Sequence, residues 1–149
     1  MLFESGEKMD KHMTDILNRG LKVTPQRLAI LKVLREKMNH PTAEHIYDEL
    51  IKDYPAISLT TVYNTLSRFA EAGMVKVLDV DSQKKRFDHN TTPHDHFHCR
   101  VCNNIFDVVL EPQTYFDGDH QENGIEGHRV DDVSVNLKGV CRFCAQEGI

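Results

Sequence analysis

Residues 57–75 read ISLTTVYNTLSRFAEAGMV, and this stretch decides the fold of the first half of the chain. Ser58 is placed to cap a helix, and Val62, Leu66 and Phe69 recur on one face of it. Gly73 stands where such a helix closes. The other face carries Thr60, Thr61, Asn64 and Arg68, which are polar and able to hydrogen-bond outward. A helix buried along one stripe and polar along the other suits a recognition helix.

Three helical patterns precede it. From Lys8 to Arg19, Met9, Met13, Ile16 and Leu17 share a face, and Gly20 is placed to end the helix. In VTPQRLAILKVL, Thr24 is a cap and Pro25 takes the first helical position, with Leu28, Leu31 and Leu34 spaced by three. In HPTAEHIYDELI, Thr42 caps and Ile46, Tyr47, Leu50 and Ile51 face inward. Downstream, MVKVLDV and KKRFDH are strand-like runs separated by DSQ, which predicts a hairpin with Lys84, Lys85 and Arg86 on its wing. Helices followed by a two-stranded hairpin form a winged helix-turn-helix, expected over residues 1–86 with a hinge at about 87–92.

The charge pattern separates two halves. Residues 1–86 carry 14 Lys and Arg against 12 Asp and Glu; residues 87–149 carry 4 against 11, and together these make the net −5. Such asymmetry points to two domains with different tasks, the second able to attract cations. No apolar run approaches the roughly 20 residues of a membrane span. The charged start MLFESGEKMDKH lacks the apolar core of a secretory signal, so a cytoplasmic location is expected.

Residues 93–149 are predicted to form a second, small, mostly β domain, with strands in NIFDVVL and VDDVSVNL around the turn-rich EPQTYFDGDHQENGIEG. A unit this small needs a staple. Cys99-x-x-Cys102 and Cys141-x-x-Cys144 provide one: each knuckle offers two thiolates, and two knuckles complete a closed, structural zinc shell. The alternative is a set of reduced or redox-active thiols. The preceding PHDHFHC places His94, His96 and His98 on one strand face, beside carboxylates at Asp88 and Asp107. Imidazole with carboxylate is a harder donor set than thiolate and suits ferrous iron, manganese or zinc, so a second, more labile site is expected here.

TPQRLAIL, HPTAEHIY, SLTTVYNTL, GMV, RFD, HDHFHCRVC and GVCRFC, in this order, resemble the ferric uptake regulator family over nearly the whole chain. The resemblance implies an α+β protein, with an N-terminal winged helix-turn-helix domain and a small C-terminal α/β dimerisation domain holding structural zinc. It implies a homodimeric, metal-dependent repressor, not an enzyme, bound to palindromic promoter DNA. The structural zinc then falls on Cys99, Cys102, Cys141 and Cys144, and the regulatory iron or manganese on His40, Asp88, His94, His96 and Asp107. Only the resemblance brings in His40, from the DNA-binding half. It also places Tyr63 and Arg19 at the DNA surface, with Ser58, Thr60, Thr61, Asn64, Arg68, Lys84 and Lys85.

Asp107, Asn64 and Asp88 look more like the peroxide-responsive branch than the iron-uptake branch, which generally has Glu at the position of Asp107. That branch implies oxidation of His40 or His94 by peroxide, with loss of metal and release of DNA; an iron- or zinc-responsive regulator is the alternative. His89 and His98 are expected outside the ligand set, and His120 and His128 in solvated loops. Two other classes remain: a metal hydrolase, for which no nucleophile or base stands at recognisable spacing, and a zinc-stabilised interaction module that never meets DNA.

Overall fold

Three side-chain caps set the helices of the first unit. Thr24 Oγ1 accepts the amide of Arg27 at 3.2 Å and opens α2, Pro25–Glu36. Thr42 accepts from His45 at 3.2 Å and opens α3, Ala43–Leu50, while His45 Nδ1 reaches back to the Thr42 amide at 3.4 Å. Ser58 Oγ accepts the amide of Thr61 at 3.0 Å and opens α4, Leu59–Glu71. The first helix, α1, includes residues 11–18. The computed structural model describes residues 11–37, 39–79, 84–110, 127–129 and 133–148. Lys8, Met9, the DSQ tip, His120 and the Val130 start of an expected strand lie outside the described residues. Among the described residues no helix is long and apolar enough to cross a membrane.

The chain divides into two compact units, residues 1–91 and 92–149. In the first, Ile16, Ile30, Leu31, Leu34, Ile46, Val62, Leu66 and Phe69 are fully buried and form one core. Each such side chain contributes about 1.5–3 kcal/mol by leaving water. The α4 stripe is thus pinned to α2 and α3, and Thr60, Asn64 and Arg68 are left outward. Gly73 ends α4 at φ +70°, where the Met74 amide returns to the Phe69 carbonyl at 2.8 Å. An antiparallel hairpin follows, β1 (Lys76–Leu78) against β2 (Arg86–Asp88), with Val77 opposite Phe87. This is a winged helix-turn-helix.

Two expectations fail here. On α1, Leu17 is 58% and Met13 37% exposed, while His12 is only 6% exposed. Polar partners explain the exchange: His12 Nε2 lies 3.4 Å from Glu36 and its Nδ1 3.1 Å from Arg35 Nη1, so a buried imidazole is satisfied there. On the hairpin, Arg86 is not a wing residue offered to solvent. It is buried, and its Nη1 donates to the His40 carbonyl at 3.3 Å.

The second unit is a three-stranded sheet with β3 (Asp95–Cys99) at its centre. β4 (Ile105–Val108) pairs antiparallel with it, and β5 (Asn136–Gly139) pairs parallel. The expected strand in VDDVSVNL therefore starts and ends further along the chain: Val133 to Val135 stay outside it, and it runs to Gly139, beside the second cysteine knuckle. A short helix, α5 (Arg142–Gln146), follows. The core of this unit is the cysteine cluster itself, Cys99, Cys141 and Cys144, with Phe97, Val101, Phe106 and Val140 against it.

Candidate metal centres

β3 and β5 run side by side with Cys99 opposite Gly139, so both knuckles open at the same end of the sheet. Cys99 Sγ lies 4.0 Å from Cys144 Sγ, and Cys102 Sγ 3.8 Å from Cys141 Sγ. All four sulfurs fall within 4.8 Å of one another. A tetrahedron with Zn–S bonds of about 2.3 Å has S···S edges of about 3.8 Å, so the set fits zinc. Burial raises the thiol of Cys99, but the amides of Cys102, Cys141 and Val101 outweigh it and hold the group down at about 6. One of these contacts is the Cys141 amide at 3.3 Å from Cys99 Sγ. Cys144 is pushed up to about 12, first by burial and then by the neighbouring sulfurs. Four thiolates cannot share this space without a cation, and a zinc ion supplies one. Four protein ligands leave no open position, so the site is structural.

His98, next to this knuckle, is buried, and its Nε2 meets Asn103 Oδ1 at 2.5 Å. Asn103 sits at φ +59°, a left-handed conformation that Asn tolerates better than most residues. The imidazole braces the turn that carries Cys102. The sequence places His98 outside the ligand set but gives no sign of Asn103.

At the other end of β3, His96 and His94, the latter one residue before the strand, converge on Asp107 of β4. The Nε2 atoms of His94 and His96 lie 3.1 and 3.6 Å from the same oxygen, Asp107 Oδ1. The rings meet edge-on, with centroids 4.5 Å apart. Register explains the approach, since His96 stands directly opposite Asp107. His94 Nδ1 donates to the Thr92 carbonyl at 2.7 Å, which leaves the Nε2 lone pair facing a carboxylate. A lone pair against a carboxylate oxygen calls for a proton or a metal ion between them. These donors fit a divalent metal harder than a thiolate site selects.

The first unit holds another pair. His40 Nε2 lies 3.6 Å from Asp88 Oδ2, and both side chains are almost wholly buried. Asp88 Oδ1 accepts the Asn90 amide at 2.8 Å, which turns Oδ2 toward the imidazole. His40 adopts φ +46°, rare for a non-glycine residue. Three successive residues of β2 hold this segment: Arg86 through the His40 carbonyl, the Phe87 amide through the Pro41 carbonyl at 2.9 Å, and Asp88 through the ring. His89 is exposed and lines a polar pocket with Asp15, Asn18, Arg19 and Arg35, and His128 is exposed.

On α4, Thr61, Asn64 and Arg68 line a groove of about 550 Å³ with Arg27 and Ser67. Ser58 faces it through Thr61, hydroxyl to hydroxyl at 2.8 Å. Thr60, Tyr63, Lys84 and Lys85 are exposed. Arg19 Nη1 donates to the Ala72 carbonyl at 3.1 Å and so caps the end of α4. Tyr63 and Lys84 both reach Glu44, which nothing in the sequence singles out.

A model of the Ferric uptake regulator family matches residues 18–137. The chain belongs to the ferric uptake regulator family. Within this family, a peroxide-responsive repressor of Staphylococcus saprophyticus subsp. saprophyticus is 42% identical over 137 residues, covering 92% of this chain and 91% of its own. The ferric uptake regulator of Vibrio cholerae, 30% identical, superposes with a TM-score of 0.72 over 87% of this chain and 98% of its own. The Campylobacter jejuni peroxide stress regulator, 31% identical, gives 0.64 over 93% and 97%. Family membership joins the winged helix, the thiolate cluster and the imidazole–carboxylate donors in one protein.

Proposed function

We propose that this chain is a metal-dependent transcriptional repressor that binds palindromic promoter DNA as a homodimer in the cytoplasm and senses hydrogen peroxide. It acts as a regulator, not as an enzyme. The observation that carries the reading is the donor chemistry: His94, His96 and Asp107 converge in the second unit, and His40 pairs with Asp88 in the first. In this reading one ferrous or manganous ion takes ligands from both sets. Such an ion fixes the two domains together and, in a dimer, sets the spacing of the two α4 helices for two half-sites. The DNA face comprises Arg19, Ser58, Thr60, Thr61, Tyr63, Asn64, Arg68, Lys84 and Lys85.

Ferrous iron held by these residues would lend the electrons that activate peroxide and regain them from the oxidised ring. Overall, one oxygen atom is added to a ligand imidazole of His40 or His94 and the peroxide leaves as water. The oxidised ring is a poorer ligand, and DNA is released. Asp107 as the carboxylate and the 42% identity to a peroxide-responsive repressor support peroxide over iron as the signal. The likeness to the Vibrio cholerae ferric uptake regulator keeps an iron-responsive reading as the alternative.

The test loads the protein with ferrous iron or manganese, exposes it briefly to peroxide and maps peptide masses beside DNA binding. The expected result is one added oxygen on peptides holding His40 or His94, only with iron, together with loss of DNA binding. Unmodified peptides with DNA binding retained exclude the peroxide reading and leave the iron-responsive one.

A further inference from the structure

Glu44 stands in the first turn of α3, and one of its oxygens is shared by two other elements of the DNA face. Its Oε1 accepts the Tyr63 hydroxyl of α4 at 3.1 Å and lies 3.4 Å from Lys84 Nζ of the hairpin. Its Oε2 is buried and accepts no hydrogen bond among the described residues. Burial raises this carboxyl, but its own amide, Tyr63, Thr42 and Lys84 outweigh burial and hold it below the ordinary range. A full negative charge therefore sits between the recognition helix and the wing, on a surface that has to approach phosphates. For DNA affinity alone this placement is adverse.

We propose that Glu44 is a specificity-determining residue of the DNA face. In the free protein its carboxylate neutralises Lys84 and holds the Tyr63 hydroxyl, so a phosphate backbone alone engages neither. Only a duplex whose base edges seat α4 in the groove provides contacts enough to exchange Glu44 for phosphate at Lys84. Non-specific binding rests on phosphate charge, so a residue that withholds one cation weakens it selectively. A helix-capping role for Glu44 predicts instead a loss of stability with no change in discrimination. The inference rests on the DNA-binding reading above.

The experiment compares wild type, Glu44→Gln and Glu44→Asp on two duplexes over a range of salt. One duplex is enriched from a random pool by manganese-loaded wild type, and the other is its scrambled sequence. Glu44→Gln is expected to bind the scrambled duplex about 5–10-fold tighter and the enriched one less than about 2-fold tighter. Its salt slope on the scrambled duplex steepens by about 0.9, one further phosphate contact. Glu44→Asp keeps the wild-type ratio. In a Lys84→Met background, which does not depend on the fold of the Glu44 variant alone, Glu44→Gln adds no affinity. If Glu44→Gln leaves the ratio unchanged while wild type binds, this proposal alone fails. If wild type binds neither duplex, the regulator reading fails and takes the proposal with it.

Discussion

Arg86 Nη1 donates to the carbonyl of His40, 46 residues away in the chain, and both residues are buried. The contact sits beneath a residue whose φ of +46° is strained. Arg86→Met removes a hydrogen-bond donor from a buried carbonyl. Thermal unfolding is expected to show a loss of about 1–3 kcal/mol. Manganese titration is expected to show affinity lower by about 10-fold or more, the usual effect of losing a group that orients a ligand. Arg86→Lys keeps the charge but not the fork, and recovers only part of either. Unchanged manganese affinity in Arg86→Met excludes a positioning role.

Zinc removal should separate the two units. Among the described residues, the buried cluster of the second unit is its cysteines with the few apolar side chains around them. Chelation, or Cys99→Ser, is expected to abolish one zinc per chain and the β signal of residues 92–149, while α2, α3 and α4 stay folded. Amide exchange followed along the chain measures this. Protection retained across β3 in the metal-free protein contradicts it.

Phe69 is fully buried and anchors the last turns of α4. Phe69→Ala opens a cavity under the recognition helix and should cost about 3–5 kcal/mol. Denaturant unfolding reads the loss directly. DNA binding should fall with it, since this face packs α4 onto the core.

Acid should act on Glu49. Hydrogen bonds from Lys37 and then Lys52, at 2.8 and 2.9 Å, hold its carboxyl at about 2. The unfolded group titrates near 4.3, about where free glutamates do. Its folded value is depressed, so its contribution is complete above that unfolded value and disappears as pH falls toward 2. The melting gap between wild type and Glu49→Gln should therefore be largest near neutrality and close in acid. Added salt should shrink it, because the pairs lie at the surface.

Much of this was legible in residue order. Thr24, Thr42 and Ser58 cap where their positions imply, because a cap is decided by a few adjacent residues. The α4 stripe and the two knuckles follow from spacing alone. What escaped depends on partners distant in the chain. KKR reads as a basic wing tip, yet Arg86 turns inward because the His40 carbonyl waits there. His12 displaces Leu17 from the α1 face because Glu36 and Arg35 receive it. The end of β5 is fixed by the knuckle it feeds and by a parallel partner that no alternation pattern announces.

That parallel pairing carries a consequence for the birth of the molecule. His96 of the central strand pairs with Asn136, and the sulfur that closes the cluster on that side belongs to Cys144. Parallel pairing between strands so far apart in the chain forms slowly, and zinc at the cysteine cluster would draw them together. During translation, β3 therefore waits for a strand and a knuckle made long after it. A chain synthesised while zinc is scarce would emerge with His94 and His96 unplaced. Supply of zinc at synthesis would thus govern whether the two imidazoles ever meet Asp107.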